Sequence, residues 1–214
     1  MKRGRGFVLI VTAPSGGGKG VLSRYLLESV ADIRFSVSTT TRTIRPGEEN
    51  GVHYFFVGKN IFEQMISDNA FVEWAEVFGN YYGTSRQALL TSLEAGQDVI
   101  LDIDWQGARQ IRSQMPDDVV QVAIVPPSRA ELHRRLVARG QDAPEVIEKR
   151  MAMAGQELSH WHEADYVVIN DHLEIACGDM VAIVRAERLK RGRMARRVEN
   201  IVAHFGVRDE KALP

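Results

Sequence analysis

The chain has 214 residues, 44% hydrophobic and 26% charged, enough to bury a full core as one soluble globular unit with sub-lobes. Twenty-seven basic against 28 acidic residues leave a formal net charge of -1, so no chain-wide electrostatic attraction points to nucleic acid or membrane as partner. The single Cys177 excludes an internal disulfide framework and a cysteine-based zinc site, and the basic start precedes an apolar run too short for a signal-peptide core; a cytoplasmic protein is expected.

That apolar run, residues 7–11, predicts a buried strand, and it leads directly into Thr12-Ala13-Pro14-Ser15-Gly16-Gly17-Gly18-Lys19-Gly20 and a helical pattern from Val21. A strand, a glycine-rich turn and a helix start aim several backbone N–H groups and the positive helix end at one spot. With Lys19 adding a mobile charge, the segment reads as a phosphate-binding loop. The general pattern is Gly, four residues, Gly-Lys and then Ser or Thr; here Ala13 replaces the first glycine and Gly20 the Mg²⁺-binding hydroxyl. Val21 lacks a hydroxyl too, so Mg²⁺ is expected to rest mainly on substrate phosphates and water. The alternative is a plain glycine-rich connector.

Between residues 36 and 56 stand Ser38, Arg42, Arg45 and Tyr54. Guanidinium forks with hydroxyl and phenol groups suit a phosphate monoester; the alternative is a solvated turn whose arginines pair with Glu48 and Glu49. Residues 60–68 predict a helix with Asn60 and Glu63 as a capping box. Glu73 then interrupts the apolar Phe71-Val72-Glu73-Trp74, and a turn at Gly79-Asn80 leads to a second short strand ending near Thr84. A buried carboxylate needs a partner. Guanine supplies one in its N1–H and exocyclic amine, a double donor that adenine does not match, and a wrong base leaves a buried polar group unpaired. Otherwise Glu73 faces water from a half-exposed strand. Residues 38–88 read as an inserted lobe.

Apolar runs at 99–103, 119–125 and 166–169, each followed by a helical pattern, predict a parallel sheet with its ligand crevice at the strand carboxyl ends, where Lys19, Asp102 and Asp104 fall. Ser128 with Glu131 caps a charged helical stretch running to residue 162 and broken at Arg139-Gly140 and Pro144, the pattern of a mobile lid. Its arginines alternatively pair along the helices with Glu131, Asp142, Glu145 and Glu148, the preferred reading for Arg134. His160-x-His162 is the only metal-like histidine spacing and reads as incidental; the basic run 185–197 reads as the solvated face of a terminal helix.

Taken in order, Ala13 to Gly20, Ser38 to Arg45 with Gly47-Glu48, Gly51 and Tyr54, Glu73-Trp74-Ala75, Gly79 to Thr84, Leu101 to Asp104 with Gln106-Gly107, Pro126 to Ser128, Arg135, Arg139-Gly140, Lys149-Arg150 and Val168 to Asp171 resemble the guanylate kinase family of P-loop nucleoside monophosphate kinases. The resemblance runs from Gly6 to about Arg191. It implies a three-layer α/β/α P-loop fold with a parallel central sheet, an inserted mixed α/β GMP-binding lobe and a helical lid. The core would comprise 1–37, 89–128 and 163–214, the lobe 38–88 and the lid 129–162.

The implied reaction moves the γ-phosphoryl of MgATP to GMP or dGMP, giving ADP and GDP for purine nucleotide metabolism, in a monomer or homo-oligomer. By the resemblance, Ala13, Pro14, Ser15, Gly16, Gly17, Gly18, Lys19 and Gly20 hold ATP, with Asn170 beside adenine. Ser38, Arg42, Arg45, Tyr54 and Tyr82 hold the GMP phosphate, while Glu73, Thr84 and Asp104 read guanine. Lys19, Arg42, Arg135, Arg139 and Arg150 carry catalysis, the last three from the lid. Asp102 either orients Mg²⁺ through water or caps its strand. A competing class is a catalytically impaired guanylate kinase-like module that binds phosphopeptides, a reading supported by Gly20-Val21 and opposed by Gly16, Gly18 and Lys19.

Overall fold

A computed structural model describes residues 4–77, 79–140 and 143–205. In chain order its elements are β1 (Val8–Thr12), α1 (Lys19–Ser29), β2 (Ile33–Phe35), β3 (Thr39–Thr40), β4 (Phe55–Phe56), α2 (Lys59–Ser67), β5 (Phe71–Val77), β6 (Asn80–Ser85), α3 (Arg86–Glu94), β7 (Asp98–Leu101), α4 (Trp105–Gln114), β8 (Val119–Val125), α5 (Arg129–Ala138), α6 (Pro144–Ser159), a 3₁₀ turn (Trp161–Glu163), β9 (Tyr166–Ile169), α7 (Leu173–Arg188) and α8 (Arg191–Ala203).

Strand β1 is central in an all-parallel sheet of order β2-β7-β1-β8-β9. Its side chains alternate between two apolar layers. Leu9 and Val11 join Leu22 and Leu26 of α1 and Met180 and Val184 of α7. Val8 and Ile10 join Leu89 and Leu93 of α3 and Ala108 and Ile111 of α4. Helices cover both faces, which is why the strands read as continuous apolar runs. The expected strand at 99–103 stops at Leu101, so Asp102 and Ile103 leave the ladder at the sheet's carboxyl edge. The three-residue edge strand β2 carried too little pattern to be expected.

A second, four-stranded sheet, β4-β3-β6-β5, forms the lobe, with β5 and β6 as an antiparallel hairpin. Phe62 of α2 is buried beneath it and stacks on Phe71 and Tyr81, with ring centroids at 4.5 and 5.4 Å. The expected Asn60 cap is not formed: α2 starts one residue earlier, its N-cap is the extended Gly58 without a side-chain bond, and Asn60 falls inside the first turn. The outer edge of β5 is closed by α4, where Gln110 bonds both the N–H and C=O of Trp74 and Gln114 donates to Val72 O. These bonds remove an exposed strand edge and tie the lobe to the core.

The lid helices pack on each other through Leu132, Leu136, Ile147, Met151 and Ala154, and Ser128 caps α5 by accepting from Glu131 N–H at 3.1 Å. Cys177 is buried on α7, as expected of a small apolar residue. The basic tail forms α8, where Arg193 lies over the Phe7 ring and within 3.7 Å of Glu187. No described helix is long and apolar enough to cross a membrane.

Candidate active site

The loop after β1 takes its shape from glycines. Gly16 and Gly18 have φ of +85° and +105°, and a Cβ on Gly16 would come within 2.9 Å of Leu136 of the lid. Gly17 N–H donates to Pro14 O at 2.8 Å, closing the turn. Helix α1 then begins at Lys19 with no side-chain cap and no acidic residue in its first turn, leaving its N–H groups and positive end for an outside anion. Ala13, Pro14, Ser15, Gly16, Gly18, Lys19 and Gly20 line a cleft of about 670 Å³ with Arg24, Asp102, Arg135, Arg139 and Glu157. Lys19 forms an ion pair with Asp102. A Cβ on Gly20 would meet no atom within 4 Å, and Val21 is exposed, so the space beside the helix start is open.

Helices α5 and α6 reach this loop directly. Arg150 donates to Ser15 Oγ at 2.9 Å. Arg135 is divided between Glu131, at 2.7 Å, and the carbonyl of Asn170, at 2.9 Å, and Arg134 also takes Glu131, as the surface-pair reading had it. These contacts hold the Glu131 carboxyl down at about 2. Of the other pairing candidates, Asp142 lies outside the described residues and Glu148 stands 3.9 Å from His133. Arg139 lines the cleft from the end of α5. Asn170 sits beneath the loop, buried, with its amide donating to Gly17 O at 2.9 Å. In this arrangement the Asn170 side chain braces the loop, and its close packing against Gly18 leaves no room for a Cβ there.

On the other side, Ser38, Tyr54, Glu73, Tyr82, Asp104, Trp105 and His160 line a cleft of about 480 Å³. Glu73 is 6% exposed, which overturns the reading that it faces water. A register shift between Phe71 and Glu73 sets Glu73 opposite Thr84, whose Oγ1 donates to Glu73 Oε1 at 2.6 Å. The other oxygen lies over the start of α4, where a Cβ on Gly107 would approach it to 3.3 Å. Asp104 caps that helix, accepting from Gly107 N–H at 2.9 Å. Burial, reinforced by the charge of Asp104, pushes the Glu73 carboxyl up, while the Thr84 bond opposes the shift. Thr84 is itself fully buried and reaches the cleft only through Glu73.

Arg42 forms a bidentate pair with Glu48 at 2.7 and 3.0 Å and lies over the rings of Tyr54 and Phe56, at 5.4 and 5.5 Å from their centroids. The pair and the Arg45 N–H hold Glu48 down at about 2. Pairing with Glu48 and availability for a phosphate are thus compatible for Arg42, since the pair aims the guanidinium at the tyrosines of the cleft. The side chain of Arg45 is exposed and does not line either cleft; its backbone meets Glu48, the N–H donating to the carboxylate at 2.8 Å and the C=O accepting from Glu48 N–H at 3.0 Å. Among the described residues, no group of three or more His, Cys, Asp or Glu could by itself hold a metal ion. His160 stacks on Trp105 with centroids 3.9 Å apart and bonds Glu163.

The sequence pattern gives Glu157, Trp105 and His160 no place in the clefts. Trp105 follows Asp104 directly, which was the one available signal; the two lid residues are brought in by tertiary packing alone. The two clefts adjoin, with Ala13, Lys19, Asp102 and Glu157 in the walls of both.

The family model for guanylate kinase matches residues 5–187. The chain is similar to guanylate kinase from Vibrio parahaemolyticus, 54% identical over 93% of this chain and 97% of that one, and to guanylate kinase from Sphingopyxis alaskensis, 53% identical over 88% and 86%. Among solved structures, guanylate kinase from Anaplasma phagocytophilum superposes with a TM-score of 0.74 at 34% identity, covering 96% of this chain and 98% of that one. The glycine-rich loop and the buried carboxylate in adjoining clefts agree with these similarities: the chain belongs to the guanylate kinase family.

Proposed function

We infer that this cleft transfers the γ-phosphoryl of ATP to the phosphate of GMP, producing ADP and GDP. The observation that carries the reading is that the two clefts adjoin, with Ala13, Lys19, Asp102 and Glu157 in the walls of both, since direct transfer requires the two nucleotides to lie side by side. Glu73, oriented by Thr84, accepts from the guanine N1–H and amine at the positive end of α4. Tyr54, Tyr82, Ser38 and Arg42 receive the GMP phosphate, and Arg45 joins them if its loop closes.

The acceptor needs no general base, because a phosphomonoester with a second pKa near 6 is largely ionised at neutral pH. The chain's task is alignment and charge stabilisation. Loop N–H groups and Lys19 take the ATP phosphates; Arg135, Arg139 and Arg150 come from the lid, which also excludes water. Guanylate kinases use ATP with Mg²⁺, and the residues present fit a hard cation: Asp102 stands half-exposed beside Lys19, and the space at Gly20 is open to water. Asp102 would orient its waters, and when bound it neutralises charge on the phosphates. Residues 1–37, 89–128 and 163–214 act as the nucleotide core, 38–88 as the GMP lobe and 129–162 as the lid.

The test is ADP release by the purified chain with MgATP and GMP, AMP, UMP or no acceptor. Turnover strongly favouring GMP is expected. Failure with every acceptor would refute the kinase reading and leave the phosphopeptide-binding module.

A further inference from the structure

Helix α4 presents a stripe of three residues that the proposed function leaves unused. Trp105, Arg109 and Arg112 recur at i, i+4 and i+7, one face of the helix, and each meets the chain at or just beyond the end of α6. The Trp105 ring stacks on His160 with centroids 3.9 Å apart and planes 14° from parallel. Arg109 lies over the same Trp105 ring, 4.7 Å from its centroid, and forms a bidentate pair with Glu163 at 2.6 and 2.7 Å. Glu163 returns to His160 Nδ1 at 2.7 Å, which closes a ring of four side chains, two from α4 and two from the end of α6 and its 3₁₀ turn. Arg112 pairs with Asp165 at 2.7 Å just beyond. The Arg109 pair, with the His160 bond behind it, holds the Glu163 carboxyl down at about 2, so this clasp keeps its charge through the neutral range.

The clasp stands where it can act on both clefts. Trp105 follows Asp104 at the start of α4, and both Trp105 and His160 line the cleft that contains Glu73. His160 also ends α6, ten residues beyond Arg150, which is about 15 Å along the helix axis. At that other point Arg150 donates to Ser15 Oγ of the phosphate loop at 2.9 Å. A helix holds its side chains in fixed relation to one another, so the place where its end rests decides where Arg150 falls. We infer that His160 is a positioning residue: stacked on Trp105 and held there by Glu163 and Arg109, it pins the end of α6 to the Glu73 side of the site and thereby aims Arg150 at the phosphate loop. The inference rests on the reading of Arg150 as a lid arginine that stabilises the transferring phosphoryl group. A side chain that only walled the GMP cleft would act on GMP affinity and be indifferent to Arg150.

The test is a double-mutant cycle in steady-state ADP release with His160→Ala, Arg150→Ala and the two combined, read at micromolar enzyme so that a large loss stays measurable. His160→Ala is expected to lower kcat by about ten- to a hundredfold, the loss that follows displacement of a catalytic group by about 1 Å, with the KM for GMP within about threefold. In the Arg150→Ala background the same change is expected to cost less than about twofold in kcat, because nothing remains to be aimed. His160→Phe, which keeps a flat ring on Trp105, is expected to recover most of the lost kcat. Should His160→Ala melt below the assay temperature, Glu163→Gln, which loosens the clasp without opening a cavity, takes its place in the cycle under the same criteria. Additive losses, an effect confined to the KM for GMP, His160→Phe as impaired as His160→Ala, or Arg150→Ala with wild-type kcat would each overturn the pin. Wild type without GMP-dependent ADP release would instead remove the phosphotransfer reading on which the inference rests.

Discussion

Glu73→Gln separates recognition of guanine from stability of the lobe. Thr84 Oγ1 donates to Glu73 Oε1 at 2.6 Å, so a glutamine keeps its carbonyl oxygen toward Thr84 and turns its NH₂ to the cleft. Guanine then meets a donor where it needs an acceptor. Losing a charge-assisted bond and leaving buried donors unpaired together cost about 3–4 kcal/mol, roughly 10²–10³ in kcat/KM for GMP. The stability effect has the opposite sign. The folded-state pKa of Glu73 lies above the ordinary 4.5, so the ionised carboxylate lowers stability at every pH above that raised value, and the penalty fades as pH falls through it. Glutamine carries no such penalty, and the Tm of the variant at neutral pH is expected to equal or exceed that of wild type. GMP needs the ionised acceptor, so the wild-type KM for GMP rises as pH drops through the raised pKa. Assays of ADP release with GMP varied at saturating MgATP, paired with thermal melts, read both effects. A GMP loss below about threefold, or equal losses in the GMP and ATP parameters, would refute the pairing.

Gly20→Ser places a hydroxyl in open space at the start of α1, with no atom within 4 Å to obstruct the new Cβ. Replacing a helical glycine is expected to add up to about 1 kcal/mol of stability, and the Mg²⁺ concentration giving half-maximal activity should fall; a rise would show that the hydroxyl has no metal to meet. Glu48→Gln weakens the bidentate support of Arg42, so the KM for GMP should rise several-fold while that for ATP stays constant. In wild type the depressed Glu48 pKa gives support that is full above about 4.5 and is lost as pH falls toward about 2, a window in which hydrogen exchange of residues 42–48 should accelerate.

Local chemistry explains which features were legible in the chain. The phosphate loop is one contiguous segment whose glycines, lysine and flanking strand and helix each act within a few residues. Strand β8 matched its expected bounds because burial on both faces writes a continuous apolar run; the edge strand β9 matched its own although Val167 and Ile169 are exposed. Ser128 capped as expected because its partner is only three residues away. Asn60 showed the same spacing with Glu63, yet Gly58 starts the helix, since either residue can open it locally and packing of Phe62 under the lobe sheet sets the phase.

By itself, then, the amino-acid order determined the phosphate loop, the parallel core and the suspicion that Glu73 is inside, all consequences of short-range periodicity and of the cost of burying an unpaired charge. Only the tertiary structure decided how Glu73 is held, because a strand bulge sets it against Thr84 and an α4 glycine admits its second oxygen. It alone turned Asn170 under Gly17 and brought Glu157 into the wall of the loop's cleft. Such contacts join residues far apart in the chain through the packing of lid on loop and lobe on core, and no local pattern of side chains encodes where those bodies meet.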